Sequence, residues 1–183
     1  MRILAFAASN NPQSINQQLA LSVARLLPQA EVISLNIDDY ELPIYSERRE
    51  AELGTPPQVT AFLQQIAQAD GLIVSFAEHN GTFTAAFKNL YDWASRSQRR
   101  IFQHKPALFL AAAPGPGGAQ SVLQAAVQAA PFMGAQLSAT VSVPNFHQVF
   151  DAKYQQIKDS ALFIQLQQAV LTLQQHIMQA KAA

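Results

Sequence analysis

Apolar runs of strand length alternate with longer stretches of helical period from one end of this 183-residue chain to the other. That rhythm is the mark of βαβ units, because a parallel strand needs a crossover before its neighbour and a helix is the usual crossover. Five strands are expected, at Ile3 to Ala7, Glu31 to Leu35, Gly71 to Phe76, Ala107 to Ala112 and Leu137 to Val143. Most are nearly continuous in apolar residues, as strands covered on both faces must be. The last alternates Leu137, Ala139, Val141, Val143 and reads as an edge strand with one wetter face. Helices are expected at Ser14 to Leu27, Pro56 to Gln68, Thr84 to Gln98, Ala119 to Ala130 and Lys153 to Ala180. In the final one Phe163, Leu166, Val170, Leu173 and Ile177 recur at spacings of three and four, a stripe for core packing.

Such a chain folds as one α/β domain spanning residues 1–183, either a fragment of the dinucleotide fold or the strand order 2-1-3-4-5. In both, ligands bind outside the carboxyl ends of the strands, so the loops after strands one, three and four should carry the function. The long connection from Asn36 to Thr55 is also expected to be functional, and its apolar Leu42-Pro43-Ile44-Tyr45 should pack on something.

Composition removes several function classes. Lys plus Arg equals Asp plus Glu at 12 each, leaving no charge excess to draw in nucleic acid or an anionic bilayer. No segment reaches the roughly 18 apolar residues of a membrane span, and polar Ser9-Asn10-Asn11 interrupts the start too soon for a signal sequence. A cytoplasmic location is expected. The chain has no cysteine, so thiolate nucleophiles and cysteine-bound metals are excluded, and His104, His147 and His176 lack ligand spacing. Redox work would require an external cofactor.

After strand one, Ala8-Ser9-Asn10-Asn11-Pro12-Gln13-Ser14-Ile15-Asn16 packs hydroxyls and amides where the chain turns into a helix. A helix start offers unpaired N–H groups and the positive end of a dipole, a natural seat for phosphate, while Ser14 also suits a plain N-cap. Neither G-x-x-x-x-G-K-[ST] nor G-x-G-x-x-G is present, which favours a monophosphate over a triphosphate or pyrophosphate. After strand three comes Ala77-Glu78-His79-Asn80-Gly81-Thr82-Phe83-Thr84, and after strand four Ala113-Pro114-Gly115-Pro116-Gly117-Gly118. Glycine there lets the backbone approach a flat ligand.

Together these loops resemble the NADPH-dependent FMN reductase family, which includes quinone, chromate and azo-dye reductases. Ser9, Ser14, Asn16, Leu19 and Ala20 stand in register with its first signature, approximately G-S-x-R-x-x-S-x-N-x-x-L-A. Glu78, Asn80, Gly81, Lys88, Asn89, Asp92 and Trp93 align without a gap to its second, approximately P-E-Y-N-G-S-x-P-x-x-L-K-N-x-x-D-W. Asn11 replaces the family arginine, Ala77 its proline and His79 its tyrosine.

The resemblance implies a flavodoxin-like three-layer sandwich, a five-stranded parallel sheet in order 2-1-3-4-5 with helices on both faces. It implies FMN as cofactor, NADPH or NADH as electron donor, and ping-pong transfer to a small-molecule electron acceptor such as a quinone or free flavin. By the same resemblance Ser9, Ser14 and Asn16 would hold the phosphate, Glu78, His79, Asn80 and Gly81 would line the ring and ribityl chain, and Gly115 and Gly118 would flank the pyrimidine end. Asn11, Ile15, Ala77 and Pro114 complete the expected cofactor-binding set. Lys88 and Asp92 are expected as a local helix pair and Trp93 at a subunit contact of a homodimer or homotetramer. The acceptor pocket is expected around the long loop and Phe83 or Phe146. Two other readings fit the same motifs: an FMN-bearing electron carrier, and a member with a weakened flavin site that serves as a binding module.

Overall fold

The computed structural model describes residues 1–182. In chain order the elements are β1 (Arg2–Ala8), α1 (Ile15–Ala24), β2 (Glu31–Asn36), a 3-10 turn (Ile37–Tyr40), α2 (Glu47–Leu53), α3 (Pro57–Gln68) and β3 (Gly71–Phe76). There follow the two-residue strands β4 (Glu78–His79) and β5 (Thr82–Phe83), then α4 (Ala85–Ser97), β6 (Pro106–Ala112), α5 (Gln120–Met133) and β7 (Gln136–Val143). The chain closes with α6 (Phe146–Val149), β8 (Phe150–Asp151), β9 (Gln156–Ile157) and α7 (Ser160–Ala182).

The main sheet is parallel throughout, in the order β2-β1-β3-β6-β7, which is the flavodoxin-like 2-1-3-4-5 order. Burial follows from that order. The three central strands β1, β3 and β6 are buried almost end to end, whereas β2 and β7 at the edges are half exposed, as the alternation in β7 predicts. One face packs against α3, α4 and α5, with Phe62, Phe87, Trp93 and Phe109 in its core; the other packs against α1 and α7, with Leu19, Leu166, Val170 and Leu173.

All five sheet strands lie where the sequence places them, but three stretches differ. The long connection after β2 contains a 3-10 turn and α2, whose N-cap Ser46 accepts from Arg49 N–H and whose last turn ends at Gly54 with φ +65°. The last helix begins at Ser160 rather than Lys153. Asp151 explains part of that shift, because its carboxylate accepts the N–H groups of Lys153 and Tyr154 at 2.9 and 3.1 Å and holds a turn in place of a helix. Asp159 then caps α7 by accepting Leu162 N–H at 2.8 Å. Finally, Ala77 to Phe83 is a hairpin whose Asn80 and Gly81 have φ +52° and +78°, the left-handed pair of a type I′ turn.

The long loop is clasped onto α4. The Asn89 amide donates to Leu42 and Pro43 carbonyls at 3.0 and 3.2 Å and accepts Tyr45 N–H at 2.8 Å. The Trp93 indole donates to Pro43 O at 2.8 Å, and the Tyr45 ring stands edge-on to it at 5.3 Å. Trp93 is 1% exposed, so it is a core residue of this chain and not a subunit contact. Lys88 and Asp92 form the expected helix pair at 2.6 Å.

Tyr45 O–H also donates to Glu50 on α2, and Arg96 of α4 meets the same carboxylate at 3.0 Å. The Tyr45 hydroxyl first and Arg96 second hold the Glu50 carboxyl below the usual glutamate range, against an opposing effect of burial. A depressed folded pKa contributes stability above the unfolded value and loses it as pH falls through the folded one. The thermal midpoint should therefore drop across that acid window, and Glu50→Gln should remove this part of the pH dependence; an identical acid profile for both proteins would refute the linkage. Asn89→Ala strips the clasp of three bonds and should lower stability by about 2 kcal/mol in urea unfolding followed by circular dichroism. A loss under about 0.5 kcal/mol would mean that the loop is held by packing alone.

Candidate functional site

The carboxyl ends of β1, β3 and β6 lie side by side at one end of the sheet, and a single buried amide ties β3 and β6 to α1. Asn16, in the first turn of α1, is 3% exposed. Its Oδ1 accepts from Ser75 Oγ at 2.7 Å and from Ala112 N–H at 2.9 Å, while its Nδ2 donates to Ala112 O at 3.2 Å. These bonds turn the side chain toward β3 and β6, whereas the resemblance implies that it holds a phosphate. Gln17 braces the adjoining edge, accepting Ala7 N–H at 2.7 Å and reaching Ser34 Oγ and Leu35 O of β2. Thr84 does the same for α4, capping Phe87 N–H and donating to Ala8 O at 3.0 Å.

The loop after β1 keeps its donors. Ser9 Oγ accepts Asn11 N–H and Ser14 Oγ accepts Asn16 N–H, both at 3.2 Å, so each hydroxyl retains its proton for a further bond. Asn11 Oδ1 accepts Gln13 N–H at 2.9 Å and leaves its amide hydrogens outward. Ser14 is the N-cap of α1, and Ile15 N–H at the first helical position has no partner among the described residues. Four donor groups thus converge at a helix start. Residues 9–16 include no lysine or arginine.

The second and third loops face the first. Ala77 is buried just beyond β3, and His79, Asn80 and Gly81 form the exposed tip of the β4-β5 hairpin. The Glu78 carboxylate turns away from that tip and accepts Val122 N–H at 2.9 Å, a negative charge placed at the start of α5. It locks the hairpin to the first turn of α5, directly after the glycine-rich turn, so the side chain is a strut.

The glycines of that turn divide into two kinds. Gly118 has φ +59°, and a Cβ there would collide with Ser142 Oγ, whose hydroxyl donates to Gly118 O at 2.7 Å. Backbone and packing both require it. Gly115 and Gly117 have ordinary φ, and a Cβ at either would meet nothing within 4 Å. Nothing inside the chain demands glycine at those two positions. Asn145 N–H donates to Gly115 O at 2.9 Å and Phe146 N–H to Ala113 O at 3.0 Å, fixing the turn around Pro114 from behind.

A cavity of about 280 Å³ lies between the long loop and α4, bounded by Asn10, Tyr40, Leu42, Ile44 and Asn89. Phe83 is half-buried against Phe76 and Phe87, and Phe146 is 1% exposed and stacked on Phe150 at 4.6 Å. Phe146 is therefore a core residue. Sequence reasoning missed the struts Gln17, Ser75 and Thr84. Thr84 carries a legible signal, a threonine just before a helical run, whereas the long-range partners of Gln17 and Ser75 leave none.

The two kinds of glycine predict opposite outcomes. Gly118→Ala should destabilise by more than about 1 kcal/mol, while Gly115→Ala should stay within about 0.5 kcal/mol of the parent in urea unfolding. Equal losses would void the distinction.

Residues 1–148 match the family described as NADPH-dependent FMN reductase. An NAD(P)H-dependent FMN reductase of Pseudomonas aeruginosa is 35% identical over 115 residues, 63% of this chain and 61% of that protein. A 2-hydroxy-1,4-benzoquinone reductase of a Burkholderia species is 36% identical over 96 residues, 52% of this chain and 51% of that one. The chain thus spans between about half and under two thirds of the length of these relatives. A solved flavoenzyme NAD(P)H:acceptor oxidoreductase from Paracoccus denitrificans shares the fold at TM-score 0.81, with 21% identity and 97% of each chain covered. With the strand order and the three loops already in place, the match over residues 1–148 shows that this chain belongs to the NADPH-dependent FMN reductase family.

Proposed function

We propose that the chain binds FMN at the carboxyl ends of β1, β3 and β6 and acts as an NAD(P)H oxidoreductase. Electrons pass from NADPH or NADH to a small acceptor such as a quinone or free flavin, donor and acceptor taking turns at one open face. The observation that carries this reading is the pair of loops at the carboxyl ends of the strands: hydroxyls with an uncommitted proton at the start of α1, and a turn where Gly115 and Gly117 leave room that no packing explains. The names of the two curated relatives, an FMN reductase and a benzoquinone reductase, support the same chemistry.

Bound flavin would supply the hydride chemistry, so the chain needs no acid, base or nucleophile of its own. Its residues bind and orient. Ser9 and Ser14 hydroxyls, the Asn11 amide and Ile15 N–H would take the phosphate. The backbone of residues 77–81 and the turn at Pro114, Gly115 and Gly118 would bracket the ring. Glu78 and Asn16 act as positioning residues, the first fixing the hairpin against the start of α5, the second holding the ends of β3 and β6 to α1.

Formal neutrality favours an enzyme over an electron carrier, which relies on charge to steer toward its partners. The missing cation in residues 9–16 bears on cofactor retention, because neutral hydrogen bonds to phosphate are roughly half as strong as charge-assisted ones. FMN should accordingly exchange, serving as substrate as readily as prosthetic group.

Titration with FMN should give saturable binding, and NADPH or NADH added without oxygen should bleach the flavin within seconds, with colour returning on addition of a quinone. Absence of saturable binding would overturn the proposal; binding without bleaching would leave the electron carrier. Asn11→Arg should tighten FMN by about tenfold and Ser14→Ala should loosen it by a similar factor. Gly115→Ala should weaken binding with no change in unfolding; unaltered affinity in all three would place the phosphate elsewhere.

A further inference from the structure

A cavity of about 790 Å³, larger than the one beside the long loop, lies where α4 and α5 end, with Tyr91, Ser95, Arg96, Arg99, Arg100 and Phe132 in its walls. It is remote from the flavin site proposed above. Helix α4 starts at Ala85, directly after the hairpin, and its 13 residues span about 20 Å at 1.5 Å per residue. The arginines stand at its far end, and the segment after them leads into Pro106, the amino end of β6. No residue proposed to hold flavin lines this cavity.

Charge is distributed unevenly along this neutral chain. Residues 93–150 contain Arg96, Arg99, Arg100 and Lys105 and no aspartate or glutamate. Of the three arginines in the cavity only Arg96 has a carboxylate, that of Glu50; Arg99 and Arg100 form no ion pair among the described residues. The dipole of α4 accounts for Arg96, which stands in its last turn, but Arg99 and Arg100 lie beyond the helix, where that effect has faded. Three like charges within five residues repel one another unless an anion sits among them. Their backbone is nonetheless held firmly. Phe102 and His104 N–H groups donate to Met133 and Gly134 carbonyls at 2.8 and 2.7 Å, the Arg100 stem lies so close to Gly134 that a Cβ there would collide with it, and Arg100 Nη1 donates to His104 Nε2 at 3.1 Å. A guanidinium already placed loses less freedom when it takes up a ligand. Phe132, 71% exposed, adds a flat apolar surface to the same cavity.

We propose that this cavity is a second binding site, for a small organic phosphate that carries a flat ring, as a nucleotide does. The guanidinium groups of Arg96, Arg99 and Arg100 take the phosphates, for which their planar forks are suited, and Phe132 stacks on the ring. The volume is within the range of small-molecule sites. A nucleic acid would need basic residues along a path longer than one cavity, and the remainder of the chain balances its charges.

Calorimetric titration of the full chain with ADP, pyrophosphate and adenosine tests the assignment. ADP should bind most tightly, pyrophosphate less so, and adenosine at least about tenfold more weakly than ADP. Arg99→Gln and Arg100→Gln should each weaken both ADP and pyrophosphate by about tenfold, whereas Phe132→Ala should weaken ADP alone, by about fivefold. Ser14→Ala, in the other site, should leave ADP unaffected. ADP affinity unaltered in both glutamine variants, or lowered as much by Ser14→Ala as by them, would overturn the proposal. Adenosine binding as well as ADP would overturn the role of the phosphates, and ADP binding no better than pyrophosphate would overturn that of the ring. Tighter binding of a hexaglutamate peptide than of ADP would overturn it in favour of an acidic protein partner. Because the two sites share no residue, the ADP and FMN titrations fail separately, and circular dichroism of each variant checks that the fold is retained.

Discussion

One buried amide joins three elements at the carboxyl end of this sheet. Parallel strands present their ends as a row of loose backbone groups, and a cleft built there keeps its shape only if the ends are fixed relative to each other. Asn16 does this by joining the first turn of α1 to Ser75 on β3 and to both backbone groups of Ala112 on β6. An unmade hydrogen bond is expensive in so dry a place, which makes the arrangement all-or-none. A residue that reads in sequence as a ligand contact is thus a pin between α1 and the ends of two strands.

A second layer of the same logic fixes the loops. Glu78 reaches from the hairpin to the start of α5, Asn145 and Phe146 hold the glycine-rich turn from behind, and Asn89 with Trp93 straps the long loop to α4. In each case a hydrogen bond to another part of the protein fixes a loop at the carboxyl ends of the strands. The pattern suits a flat ligand that brings its own reactivity, because what such a ligand requires is a rigid surround and an open face.

Much of this is visible in the chain alone. The five strands are continuous apolar runs bounded by polar turns, and burial on both faces leaves little ambiguity about them. Asn80-Gly81 is a hairpin signal and Ser46 an N-cap signal, but both stretches read as loops in the sequence because each element is too short for its periodicity to show. What cannot be read locally is the destination of a side chain. The same spacing that brings Asn89 and Trp93 into a family signature says nothing of Pro43, some fifty residues earlier, which both of them hold. Asn16 and Glu78 are of the same kind: residue type and position are legible, but whether the polar atoms face in or out is decided by partners that only the folded sheet brings near.

Trp93 carries a further consequence. It is the chain's sole tryptophan, and it sits at the seam between the long loop and α4 with its indole nitrogen bonded to a loop carbonyl. Any opening of that seam admits water to the indole and shifts its emission to longer wavelength, so the protein has an intrinsic optical reporter on the movement of a loop that contributes a cavity wall. The readout requires no label, and set beside circular dichroism, which follows the sheet and helices, it separates motion of the loop from unfolding.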